Sequence, residues 1–189
     1  VVDADELLAE MEELAENEVK KRYPALSDKE INRRAKIIGT GALRFFILQY
    51  DPVRDFVFNP EESISFEGET GPYVQYAYAR IQSIFKKYGE TVPKKANLTL
   101  LTNPHEHKII AMLGNYRAVV KESAEKYKPS IVCRFLLDLS RAFSEYYHEC
   151  PVLQAEEDVR NARLVLIRCV SQVIRNGLLL LGIDVLDEM

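Results

Sequence analysis

Two glycines and a proline, Gly68, Gly71 and Pro72, interrupt the chain and oblige it to restart as a helix. The segment that follows, Tyr73-Val74-Gln75-Tyr76-Ala77-Tyr78-Ala79-Arg80, sets the geometry of that restart. At about 100° per residue, Tyr73, Tyr76, Arg80 and Lys87 fall in one narrow arc. Val74, Ala77, Tyr78, Ile81, Ile84 and Phe85 fill the adjoining arc, which is wide and apolar enough to be buried. Such a helix needs partners for its apolar arc, and the rest of the chain provides them as further helices.

Asp3 to about Arg22 carries Leu7, Leu8, Met11, Leu14 and Val19 at helical spacing, and Tyr23-Pro24 stops it. Ser27-Asp28-Lys29-Glu30 is a capping-box pattern that starts a second helix through Ile31, Ala35, Ile38, Ala42 and Phe46. Inside it, Gly39-Thr40-Gly41 opposes helix propensity by about 1 kcal/mol per glycine. Close packing against a neighbour is the preferred explanation, because no phosphate-loop pattern surrounds the pair; close approach to a ligand is the other. Tyr50 to Gly71 reads as an irregular connector, with an extended piece at Asp55-Phe56-Val57-Phe58 and one helical turn after Pro60.

The restarted helix runs from Pro72 to about Tyr88, and Gly89 to Leu101 is a loop. Asn103-Pro104 starts another helix that ends near Lys126. Pro129 opens the next, rich in Ile131, Val132, Phe135, Leu136, Leu139 and Phe143. The last long helix spans about Ala155 to Leu181 and is closed by Gly182, leaving Ile183 to Met189 as a packed tail. The expected fold class is all-α: an antiparallel helical bundle with a short helical lead-in. The expected division is a helical connector over 1–60 and a bundle over 61–189.

At 189 residues, 47% apolar and 29% charged, the chain holds one good core. No apolar run reaches a membrane span, and Leu178 to Leu181 sits in a charged, periodic helix. There is no targeting segment, and a start at Val1-Val2 reads as a piece of a longer protein. Cys133, Cys150 and Cys169 form neither a disulfide framework nor a zinc motif, and suit a reducing cytoplasm. His148 beside Cys150 is half a metal pair with no second half, so no metal is expected.

No nucleophile triad, Walker loop or dinucleotide fingerprint occurs, and Glu61-Glu62 and Glu156-Glu157 read as solvated or first-turn acids. The work of this chain is therefore binding. A net charge of −4 counts against a general nucleic-acid binder but leaves room for a small, shape-selective contact. The first eighteen residues hold eight Asp or Glu and no Lys or Arg, so the acidity is concentrated at one end. On spacing alone, the Tyr73, Tyr76 and Arg80 edge is more often an ordinary core boundary. The sharper reading is that the rings stack on unpaired bases while the guanidinium meets a phosphate or a base edge.

Ser65-Phe66-Glu67-Gly68-Glu69-Thr70-Gly71-Pro72-Tyr73-Val74-Gln75-Tyr76 with Arg80 closely resembles the start of the anticodon-binding domain of arginyl-tRNA synthetases. Gly41-Ala42-Leu43-Arg44-Phe45-Phe46 followed by Asp51-Pro52 resembles that family's segment between catalytic fold and bundle. Ala142 to His148 and Asn161-Ala162-Arg163-Leu164 are similar to its later helices, and Leu181-Gly182-Ile183 with Glu188-Met189 to its close. Val1-Val2 would then lie just after the family's second ATP-binding signature loop.

The resemblance implies a full-length enzyme that joins arginine to tRNA(Arg) using ATP with magnesium, its catalytic domain upstream in the same chain. This piece, catalytically inactive and holding no cofactor of its own, would grip mainly the anticodon loop, in the cytoplasm and away from any membrane. Carried over residue by residue, the contacts are Tyr73, Tyr76 and Arg80, joined on weaker alignment by Tyr147 and Met189. Tyr78 departs from the histidine often found there and belongs to the core side of the wheel. Arg44, Arg80, Lys86, Lys87 and Arg141 are candidate phosphate contacts. The alternatives are a helical protein–protein interaction bundle using its exposed tyrosines, or the anticodon-binding domain of a related synthetase.

Overall fold

The computed structural model describes residues 3–51, 53 and 55–189, and every regular element among them is helical. The expectations placed on Val1-Val2 and on Pro52 lie outside the described residues. The helices are α1 (Ala4–Arg22), α2 (Asp28–Leu48), α3 (Pro60–Ser63), α4 (Gly71–Tyr88), α5 (Pro104–Lys126), α6 (Ser130–Glu149) and α7 (Glu157–Leu180). A single 3-10 turn, Leu98–Leu100, lies in the loop before α5.

Local chemistry explains most of the boundaries. The Asp3 side chain accepts from the Asp5 amide, and Lys20, Lys21 and Arg22 occupy the last turn of α1, where cations suit the helix dipole. Thr70 caps α4 by accepting from the Tyr73 amide, and Gly89 ends it at φ +73°. The predicted capping box of α2 forms only by half. Ser27 accepts from the Glu30 amide, but the Glu30 carboxylate turns to Arg33 and Arg34 instead of back to the cap. A complete box appears at Asn103 and Glu106 of α5.

The apolar residues segregate into two clusters. Val74, Ala77, Tyr78, Ile81 and Ile84 of α4 join α5, α6 and α7 in the larger one, around Phe143, Tyr146, Ile167 and Ile174. The smaller one gathers Met11, Ala15 and Val19 of α1 with Ile31, Ala35 and Ile38 of α2, and takes in Ala79 of α4. The helical spacing of α2 predicts Phe46 in its apolar stripe. The structure buries Phe45 completely and leaves Phe46 half-buried. Phe46 instead packs with Tyr50, Phe56 and Phe58 in a cluster of rings whose centroids lie 4.8–5.4 Å apart. The piece at 55–58 belongs to no regular element, as expected of an irregular connector, and is pinned by Phe56 and Phe58.

Residues after α7 act as a strap. Gly182, at φ +71°, turns the chain back, and its carbonyl accepts from Arg44. Ile183 enters the larger cluster, whereas Leu186 and Met189 enter the smaller one. Gln75, fully buried, donates to the Asp184 carbonyl at 2.8 Å, and the Tyr78 hydroxyl donates to Asp187 at 3.2 Å. Arg34 and Lys86 both pair with Glu188, and Tyr23 donates to the Met189 carbonyl.

The glycines of α2 are there for packing. A Cβ on Gly39 would lie 2.6 Å from the Met11 carbonyl oxygen, so α1 crosses α2 in backbone contact. Gly39→Ala is expected to destabilise the chain by about 1–3 kcal/mol, the overpacking outweighing the gain in helix propensity. Chemical denaturation of the two proteins measures this directly.

Candidate functional site

Two burial demands leave α4 only a strip of partly exposed surface near its start. Val74, Ala77, Tyr78 and Ile81 face one core and Ala79 the other, so Tyr73, Tyr76 and Arg80 emerge between them. The Arg80 guanidinium lies 5.1 Å from the centre of the Tyr76 ring and 5.2 Å from that of Tyr147 on α6. Both distances are within cation–π range, so the three side chains form one stack. Tyr147 is itself supported by the buried ring of Phe143 at 6.1 Å. Tyr78 lies on the core side, as the wheel places it.

Concave surfaces flank this stack on both sides. The smaller, about 260 Å³, is bounded by Tyr23, Tyr76, Arg80, Lys87, Tyr147 and Met189. The larger, about 700 Å³, runs from Tyr73, Tyr76 and Arg80 across to α1 and to the end of α6. Tyr73 stands on its floor, its hydroxyl 3.5 Å from Ser144 Oγ. The larger volume falls within the ~300–1,000 Å³ typical of ligand sites. Aromatic faces, the guanidinium groups of Arg22 and Arg80 and few apolar aliphatics suit a flat, polar-edged ring better than an aliphatic chain.

All five residues named from the sequence thus border one continuous surface, although Tyr147 and Met189 are distant from Tyr76 in the chain. Met189 differs from the rest: it is only 7% exposed, and its side chain belongs to the smaller core. Tyr23 was legible only as a helix stop, yet it borders the small pocket and holds Met189 in place. Phe66 and Arg22 also went unnoticed as a pair. Arg22 lies over the Phe66 ring at 4.0 Å, and Phe66 meets Tyr76 edge-on at 6.2 Å. No periodicity links residues 22, 66 and 76, so no local signal could have found them.

Several of the candidate phosphate contacts have internal partners. Arg44 is held by Gly182, Lys86 by Glu188, and Arg141 by Glu69 and Asp138. Lys87 borders the small pocket. Among the described residues no group of three or more His, Cys, Asp or Glu could hold a metal ion. Nor is any helix among them long and apolar enough to cross a membrane.

A family model described as the DALR anticodon binding domain matches residues 74–189, which include the stack. The chain belongs to the DALR anticodon-binding domain family. This DALR chain is 38% identical over 196 residues to the arginine–tRNA ligase of Parabacteroides distasonis, covering 100% of itself and 33% of that protein. It is 40% identical over 196 residues to that of Treponema pallidum, with the same coverage. The chain therefore spans about a third of the length of the curated relatives it matches. Among solved structures, Thermus thermophilus arginyl-tRNA synthetase superposes with a TM-score of 0.93 at 34% identity, over 100% of the DALR chain and 32% of the other. Arginyl-tRNA synthetase from Plasmodium falciparum, at 21% identity, shares the fold with a TM-score of 0.88 over 100% of this chain and 34% of that one.

The strap that seats Met189 is electrostatically tuned. Hydrogen bonds from Lys86 and then Arg34 hold the Glu188 carboxyl below the ordinary carboxylate value. Those from Arg33 and Arg34 pull Glu30 from 4.5 down to about 2. A carboxyl lowered by folding contributes stability above its unfolded value and loses it as pH falls through the folded one. Glu188→Gln is accordingly expected to melt below the parent at neutral pH. The gap should close as the pH falls below the ordinary carboxylate value and the Glu188 carboxyl protonates, which a series of thermal melts from neutral into acid pH would record.

Proposed function

We propose that the Tyr76–Arg80–Tyr147 stack and its two flanking hollows bind the anticodon loop of tRNA(Arg). The observation that carries this reading is the stack itself, with a guanidinium over two tyrosine rings and a hollow on either side. Loop bases, unlike duplex bases, can be splayed out and inserted against such rings. Tyr73 and Met189 would complete the walls. Membership of the DALR family supports the same assignment.

The full-length protein would then be an arginine–tRNA ligase of the cytoplasm, charging tRNA(Arg) with arginine. Residues 1–60 would connect its catalytic domain to the bundle over 61–189. ATP and magnesium would belong to that catalytic domain. The residues here do not fit a nucleotide triphosphate, since the glycine pair of α2 that could have cradled phosphate is filled by the Met11 backbone and the Gln75 side chain.

A titration of the chain with tRNA(Arg) transcript, an anticodon-substituted version and an unrelated tRNA, at two salt concentrations, tests the reading. Tyr76→Ala and Arg80→Ala should each weaken the native complex by about 1–3 kcal/mol, the worth of one stacked base. Affinity should fall with added salt in proportion to the few phosphates contacted. Equal affinity for all three RNAs would overturn the anticodon-loop site, and no affinity for any would favour a protein partner for the tyrosines.

A further inference from the structure

The larger hollow holds an arrangement that the stack does not need. The guanidinium of Arg22, at the end of α1, lies over the Phe66 ring at 4.0 Å from its centre, and its side chain remains 40% exposed. Phe66 rests edge-on against Tyr76, so the platform is braced against the stack. One helical turn back, Glu18 accepts from Lys21 at 2.7 Å and from Arg22 at 3.1 Å, its side chain 29% exposed at the rim. A carboxylate has about four lone-pair positions, so these two bonds leave Glu18, which lines the hollow, with spare acceptor capacity. The Lys21 hydrogen bond, aided by Arg22, also holds its carboxyl below the usual value, which keeps it an acceptor and not a donor.

A carboxylate at this place repels phosphate and attracts N–H. Glu61 and Glu67 border the same hollow, so its chemistry selects against a sugar–phosphate backbone and for the donor edge of a base. Carboxylates take the exocyclic amino group of cytosine in this way, and planar guanidinium groups stack on bases.

We propose that the larger hollow is a second base compartment, in which Arg22 is the stacking platform and Glu18 selects a base bearing an exocyclic amino group over uracil. It would hold a nucleotide adjoining the one in the small pocket, with Arg80 dividing the two. This rests on the RNA-binding reading of the stack. The lead-in helix α1, acidic as it is, thereby takes part in recognition.

The test uses a synthetic anticodon stem-loop of an arginine tRNA, its loop bases replaced one at a time by uracil. The chain is compared with Arg22→Ala, Glu18→Gln and Tyr76→Ala, each with its melting curve recorded. Arg22→Ala should weaken binding roughly tenfold. Glu18→Gln, which conserves shape and fold, should erase the penalty for uracil at one loop position and leave the other positions unchanged. If Tyr76→Ala weakens binding while Arg22→Ala and Glu18→Gln behave as the parent on every loop, the second compartment is wrong and the stack stands. If Tyr76→Ala also binds as the parent, the underlying reading falls, and this proposal with it.

Discussion

Helix α4 is obliged to serve two hydrophobic cores at once, and the rest of the molecule is arranged around that constraint. One side carries Val74, Ala77, Tyr78, Ile81 and Ile84 into the bundle; Ala79 on the other meets α1 and α2. Between the two cores only a strip is left, and side chains there must be half-buried whatever their chemistry. Long aromatic and guanidinium side chains suit such a position, because their stems or ring edges can be covered while a polar tip or face stays accessible. The stack of Tyr76, Arg80 and Tyr147 is therefore a consequence of packing before it is a binding device.

The strap formed by 182–189 keeps the two cores in register. It sends Ile183 into one and Leu186 and Met189 into the other, and its polar groups reach Arg44, Gln75, Tyr78, Lys86 and Arg34. These partners come from α2 and α4, so loss of the strap would loosen the angle at which the lead-in meets the bundle. That angle decides whether Arg22 and Tyr23 stand beside Tyr76. Buried Gln75 is central here, since its amide answers a carbonyl of the strap that the fold has removed from water.

Charge is handled in the same economical way. Several cations that look available in the sequence are engaged with carboxylates or carbonyls of the chain, in a molecule of net charge −4. The proposed RNA contact therefore relies on ring faces and base edges more than on free phosphate-binding cations. Arg22 and Arg80 both lie over rings, which orients them before any ligand arrives.

Helix type and extent followed closely from the sequence, because caps and periodicity are local: Asp3, Ser27, Pro72 and Asn103 each mark a start within a residue or two. The arc of Tyr73, Tyr76 and Arg80 was legible for the same reason. Tyr147 and Met189 entered only through resemblance to a family, and the burial of Met189 was not foreseeable from either source. The choice between Phe45 and Phe46 for the core depended on where α4 crosses α2, and the half-formed capping box on where Arg33 and Arg34 stood. By itself, then, the sequence determined an all-helical chain and one face rich in tyrosine and arginine, since both depend on residues within a few turns of one another. Only the tertiary structure decided that Arg22, Phe66 and Tyr23 complete that face, because contacts across 10 to 166 residues of chain arise from how two cores share a helix, and no local pattern encodes them.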